Sequence, residues 1–200
     1  MKENKLETIT PEMENEIFKK QLLQKEAELK IINSVGEAMS KQLDIDTVTK
    51  IVGDNVREIL STEVTEILLL NHENGIITVP YSYYKGYQKV EPFSLGEGLT
   101  SKVINSRKPL LLGTSEEQIK NGGIFDENLG EVDVTESYLG IPILFGGNVL
   151  GVVSVQSYKK NSFDENVVRL LTTLSTNMGV ALQNAKFFEE TINLSETGFG

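Results

Sequence analysis

Few residues of this 200-residue chain could do chemistry. It has one histidine, His72, and no cysteine or tryptophan. A thiolate nucleophile, a disulfide framework and a cysteine-based zinc or iron–sulfur site are therefore excluded, and one histidine cannot build a multi-histidine metal centre. His72 lies in His72-Glu73-Asn74-Gly75 between two strand-like runs, where a solvated turn histidine is expected. With it set aside, no Ser–His nucleophile can be assembled. Gly96-Glu97-Gly98-Leu99-Thr100-Ser101-Lys102 invites a phosphate-loop reading, but the GxxxxGK[ST] spacing is not met. It reads instead as a turn feeding a helix start, whose free N–H groups could hold a polar group of a ligand. A carboxylate-only hydrolase would need a positioned pair such as Asp126 with Asp133, and no motif fixes one. Asp126, Glu127, Glu131 and Asp133 do not follow the EF-hand order, so no metal site is expected. The expectation is a protein that is not an enzyme.

Polar residues that interrupt apolar strands are more informative. Glu66 lies on one strand face between Val64 and Leu68, and Ser154 interrupts the run GVVSVQ. A carboxylate in such a strand must be paired, solvated at an edge, or facing a cavity, because burying it alone is costly. Tyr81 and Tyr83 share one face of the next strand and Tyr84 opposes them. Two arrangements fit: a solvent-exposed sheet face, or a polar-lined pocket between the sheet and the segment 114–136.

That segment is acidic. From Glu116 to Glu136 seven carboxylates are opposed only by Lys120, and residues 63–145 hold −6 of the chain's net charge of −10. Such a surface repels phosphate backbones and anionic lipid, so nucleic acid and membrane are poor partners. If the segment covers a pocket, cyclic nucleotides should bind more weakly than cationic or neutral ligands. No apolar run approaches the ~20 residues of a membrane span, and the N-terminus lacks a signal-peptide core, which makes the cytoplasm the expected address.

The elements that must position these residues are legible. A helix begins after Pro11 with a narrow seam, Phe18, Leu22, Lys25, Leu29, Ile32, Gly36, Met39 and Leu43, at coiled-coil spacing. A second follows LDID, with Asp46 as its expected cap. VTEILLLN (64–71) and GIITVPYSYY (75–84) form a hairpin at Asn74-Gly75, EPFSL and PLLLG are further strands, and 98–106 is a short helix. SYLGIPILF and VLGVVSVQSY enclose Gly146-Gly147. A long helix runs from Asp164 to about Thr191 on the spacing Val167, Leu171, Leu174, Met178, Ala181, Ala185, Phe188, Ile192. Antiparallel strands framed by helices, without strand–helix alternation, predict an α+β fold.

The segments AELKIINSVGEAMSKQLDIDTVTKIVGDNVREI, SLGEGLTSKVINSRKPLLL, SYLGIPILFGGNVLGVVSVQS and FDENVVRLLTTLSTNMGVALQNAKFFEET resemble the GAF domain family over nearly all of residues 28–190. The chain is similar to GAF modules of bacterial signalling proteins joined to cyclase, kinase, phosphatase or phosphodiesterase outputs. The resemblance implies a central antiparallel sheet with N- and C-terminal helices packed on one face and a ligand pocket on the other. Carried over position by position, it implies pocket contacts at Glu66, Tyr81, Ser82, Tyr83, Leu99, Phe125, Asp126, Thr135 and Ser154. Phe163 matches the cyclic-nucleotide-binding pattern, whereas Gln156-Ser157 and Val167-Val168 depart from it. Bilin-binding members and the free methionine sulfoxide reductases of this fold need cysteines, and His72 is badly placed as a haem ligand. No cofactor is therefore assigned.

The resulting expectation divides the chain into a helical extension (1–28), the domain (29–190) and a tail (191–200). Its function is a regulatory small-molecule sensor that homodimerises through its first and last helices, so Leu29→Lys or Met178→Lys should break the seam. The alternative is a ligand-free GAF scaffold used for dimerisation or docking, its sheet face filled by Tyr81, Tyr83, Phe125 and Leu99.

Overall fold

The computed structural model describes residues 44–124 and 134–197, together with residues 11, 15, 16, 18, 19, 22, 25, 26 and 29, which are helical. Phe125 and Asp126, the acidic group Glu127, Glu131 and Asp133, and the seam positions Ile32 to Leu43 lie outside the described residues. The elements run α1 (Ile45–Leu60), β1 (Val64–Asn71), β2 (Ile76–Tyr84), β3 (Phe93–Ser94), α2 (Gly98–Ser106), β4 (Leu110–Leu112), α3 (Ser115–Lys120), β5 (Ser137–Phe145), β6 (Asn148–Ser157) and α4 (Glu165–Thr197). Six antiparallel strands form one sheet in the order β3-β2-β1-β6-β5-β4. The α+β expectation holds. No helix among the described residues is long and apolar enough to cross a membrane.

One face of the sheet carries α1 and α4. Val48, Val52 and Val56 recur every fourth residue along α1 and meet Ile67, Leu139, Ile141, Val153 and Val155 from the strands and Leu171, Leu174 and Met178 from α4. Met178 has no exposed surface, so it belongs to the chain's own core and not to a seam between two chains. Gly179 beside it brings α4 so close to β5 that an added Cβ would lie 2.3 Å from the Leu144 carbonyl oxygen. Helix α4 continues to Thr197, past the expected end near Thr191. Its cap is Asp164, which accepts from the N–H groups of Asn166 and Val167. At α1 the cap is Asp44 rather than Asp46: it accepts from the Thr47 N–H at 2.8 Å, and Asp46 falls in the first turn.

The opposite face is divided. At one end α2 covers Leu68, Ile77, Val149 and Val152 with its own Val103 and Ile104. At the other end, beside α3 and the start of α2, polar residues replace the aliphatic ones on the strands. Strand β2 changes face between these ends. Ile77 and Val79 point toward α2, but the register with β1 shifts by one residue between Ile67 and Leu69, where Pro80 lies on the facing strand. Such a bulge re-aims every side chain beyond it, and proline, with no N–H to pair, suits that position. Beyond Pro80, Tyr81 and Tyr83 therefore point toward the helices while Ser82 and Tyr84 point away.

Candidate functional site

Beyond the start of α2 lies a cavity of about 650 Å³, within the usual size of small-molecule sites. Its floor is the middle of the sheet, where one cross-strand row reads Ser82, Glu66, Ser154, Gly140. Leu99 and Thr100 from the first turn of α2, Gln118 from α3, and Ile124 and Thr135 from the two described ends of the acidic segment stand around it. Two carboxylates, Glu66 and Glu97, line it, and no lysine or arginine does so among the described residues.

Glu66 is partly buried and accepts a hydrogen bond from the Ser82 hydroxyl at 3.2 Å. Burial pushes its carboxyl above the ordinary range, against the opposing pull of the Ser82 and Ser154 hydroxyls. Tyr138 is the second unusual group. Its ring runs over Gly140, and a Cβ there would lie 2.5 Å from the tyrosine oxygen and 2.9 Å from Val103. Gly140 is thus the hollow that admits the hydroxyl. That hydroxyl is buried and meets no partner at full hydrogen-bond geometry among the described residues. Burial together with the nearby Glu66 charge raises its pKa, against an opposing pull from the Thr100 hydroxyl. A buried orphan donor of this kind carries a penalty of about 1–3 kcal/mol.

Gln118 closes the side wall. It is 2% exposed, and its amide nitrogen donates to the carbonyls of Thr135 and Glu136, both at 2.9 Å. Thr135 in turn donates to Gln156 at 2.6 Å. The six-residue helix α3 that carries Gln118 falls in a segment with no readable periodicity. Its signal was the Thr-x-x-Glu pattern at Thr114-Ser115-Glu116-Glu117: the Thr114 hydroxyl oxygen accepts from the Glu117 N–H.

Of the expected site residues, Glu66, Ser82, Leu99 and Thr135 line the cavity. Ser154 lies in the floor row beside Glu66, 1% exposed. Tyr81 and Tyr83 do not belong with them, because the bulge at Pro80 turns both to the helix side. Tyr81 packs over Gly53 of α1, where an added Cβ would sit 2.5 Å from its ring, and its hydroxyl donates to Asp54 at 2.9 Å. Tyr87 donates to the same oxygen at 2.7 Å. Burial pushes the Asp54 carboxyl up, but the bonds from Tyr87, Tyr81 and Lys50 outweigh it and hold it below the ordinary range. Arg57 lies 4.2 Å over the ring of Tyr83. Sequence reasoning missed Tyr138, Gln118 and the role of Gly140. His72, at the exposed hairpin turn, donates from Nε2 to the Val149 carbonyl at 2.7 Å, tying that turn to β6.

The raised Glu66 carboxyl has a thermodynamic consequence. The folded state binds a proton there more readily than the unfolded chain, so the stability Glu66 contributes is greatest at low pH and falls as pH rises from the ordinary carboxylate range through the raised value. Glu66→Gln removes that loss and keeps an oxygen to accept from Ser82. Its melting temperature should match the wild type at acidic pH and exceed it at neutral pH. Each kcal/mol relieved corresponds to about 2–4 °C in a chain of this size. Thermal melts from acidic to neutral pH test this, and a Gln variant less stable than wild type at neutral pH would contradict it.

Residues 42–183 match the family model described as "GAF domain". The chain is 21% identical over 175 residues to a formate hydrogenlyase transcriptional activator of Salmonella typhimurium, covering 84% of this chain. It spans about a quarter of that relative's length, 25%. Among solved structures, the GAF domain of an Acinetobacter phosphoenolpyruvate-protein phosphotransferase superposes with a TM-score of 0.67 at 20% identity, covering 84% of this chain and 97% of the other. A free methionine-R-sulfoxide reductase from Neisseria meningitidis superposes at 0.59 with 12% identity, covering 78% and 90%. At these identities the structures establish a shared fold.

Proposed function

The chain belongs to the GAF domain family, and from that premise we propose that it is a regulatory sensor module of a cytoplasmic signalling protein, one that binds a small molecule and is not an enzyme. The observation that carries this reading is the cavity, with its partly buried carboxylate and orphan tyrosine hydroxyl on the face opposite the helices. Both groups have hydrogen-bonding capacity that a ligand could use. The rival is a ligand-free scaffold with this face filled by Tyr81, Tyr83, Phe125 and Leu99. Leu99 does line the cavity and Phe125 lies outside the described residues, but Tyr81 and Tyr83 lie on the other face, which disfavours the scaffold. The family's fold also serves reductases, but this chain has no cysteine for thiol chemistry.

The route from ligand to output is short. Ser82 faces the cavity and its neighbour Tyr81 grips Asp54 of α1, so a shift of β2 is felt by the helix layer. Strand β5, which carries Tyr138, touches α4 at Gly179. A coupling of about 1–3 kcal/mol is sufficient for such a relay. The terminal helices are the proposed dimer contact and the path to an output domain of cyclase, kinase, phosphatase or phosphodiesterase type. Exposed apolar side chains support this: Phe18, Leu22 and Leu29 near the N-terminus, and Phe187, Phe188 and Ile192 on α4.

Native mass spectrometry of freshly purified protein tests both halves. A dimer carrying an added small-molecule mass is expected, with Leu29→Lys or Phe188→Lys shifting it at least about tenfold toward monomer, which is ~1.4 kcal/mol. A monomer, or variants that remain fully dimeric, would rule out the helical interface. A dimer with no bound mass, together with no thermal shift across a metabolite screen, would leave the scaffold.

A further inference from the structure

We infer that the cavity is built for a small organic ammonium, a primary amine on an apolar body, seated by its N–H groups on Glu66. This rests on the sensor reading and specifies the ligand's chemistry. Three observations on different elements lead to it. Glu66, in the middle of β1, is the one charged side chain of the floor row. It accepts from Ser82 at 3.2 Å, has the Ser154 hydroxyl beside it, and is paired with no cation among the described residues of the cavity lining. A carboxylate offers about four acceptor sites, so capacity remains for a polydentate donor. Tyr138, from β5 and 3% exposed, brings to the same cavity a hydroxyl that meets no partner at full hydrogen-bond geometry among the described residues, with the Thr100 hydroxyl the nearest to it in effect. Its oxygen can accept from an N–H donor, which leaves the O–H to turn toward the Thr100 hydroxyl.

The third observation is the charge of the surroundings. The described lining holds Glu66 and Glu97 and no basic side chain, so a phosphate or carboxylate would have only the N–H groups at the start of α2 to set against two carboxylates. Leu99, Ile124, Val90 and Phe93 supply apolar wall for the body of the ligand. A quaternary ammonium has no N–H to give Glu66 or the hydroxyls of the floor row, so the row favours a primary amine over it.

The test keeps the apolar body constant and varies the head group: hexylammonium, 1-hexanol, hexanoate and hexyltrimethylammonium, measured by isothermal titration and thermal shift at neutral pH and physiological salt. Hexylammonium should bind wild type at least about tenfold more tightly than the other three, and Glu66→Gln should remove most of that preference, since a hydrogen bond to a charged group is worth about tenfold or more in affinity. The Gln variant is expected to fold at least as well as wild type, so lost binding cannot be ascribed to unfolding. Amine held loosely by the acidic surface would be indifferent to this one substitution. Hexanoate binding as tightly as hexylammonium, or hexylammonium binding Glu66→Gln unchanged, overturns the inference. If none of the four probes binds, the amine assignment falls, while the sensor reading is decided separately by the native mass spectrum.

Discussion

Met178→Lys is expected to abolish cooperative folding. Met178 has no solvent-exposed surface and lies in the layer between the sheet and α4, among seventeen buried residues of one core cluster. Truncating such a side chain to alanine costs about 2–5 kcal/mol. Lysine adds the burial of an ammonium that must either lose its proton or force a path to water. Together these approach the ~5–15 kcal/mol by which domains are stable at all. Far-UV circular dichroism should show a broad, non-cooperative melt or a midpoint lowered by more than about 15 °C. Leu29→Lys is the contrast, because Leu29 is 58% exposed and a surface change of this kind stays within about 0.5 kcal/mol. If Met178→Lys instead melts like wild type and merely dissociates, Met178 faces a partner chain and the core described above is wrong at that point.

Gly179→Ala is expected to destabilise the protein by about 2 kcal/mol or more, against the direction helix propensity predicts. In a helix interior alanine is favoured over glycine by about 1 kcal/mol. Here the methyl group would lie 2.3 Å from a backbone oxygen and 3.1 Å from its carbon, both of Leu144 on β5. A backbone atom cannot rotate aside as a side chain can, so α4 must lift from the strand or β5 must bend. Overpacking of this sort costs about 1–3 kcal/mol and more where the neighbour is rigid. A fall in melting temperature of roughly 4–8 °C follows for a chain of this length. An unchanged or higher midpoint would show that α4 and β5 are not held at this distance. Because the same contact joins the strand bearing Tyr138 to α4, the proposed path to an output domain, the variant should also respond less to any ligand that stabilises the wild type.

The strands and hairpins were readable because their physics is local. Alternating apolar residues, Asn74-Gly75, and Gly146-Gly147 with positive φ at both glycines specify two antiparallel pairs within a few residues. Glu66 was readable for a related reason: a carboxylate inside an apolar run has to have a purpose or a partner. The faces of Tyr81 and Tyr83 were not readable, since one unpaired residue at Pro80 reverses the alternation and only the register with β1 reveals it. Tyr138 was hidden in SYLGIPILF, where both faces of the strand are buried and an aromatic residue looks like ordinary core. Helix α3 is too short to show a period, and only its cap pattern marks it. The α4 spacing was read correctly as a helix, but periodicity cannot distinguish a face that packs on its own sheet from one that meets another chain. Met178 fell on the wrong side of that distinction.

The tyrosines have an optical consequence. The chain has no tryptophan and six tyrosines, and their distribution is uneven. Tyr84 and Tyr138 line the cavity; Tyr81, Tyr83 and Tyr87 stack edge to face beside α1; Tyr158 donates to the hydroxyl of Tyr84 at 3.2 Å. The intrinsic ultraviolet emission of the molecule therefore arises along the line that joins the cavity to the first helix, without background from the rest of the surface. A change at either end of that line is reported by the protein's own chromophores, and no label need be attached to follow it.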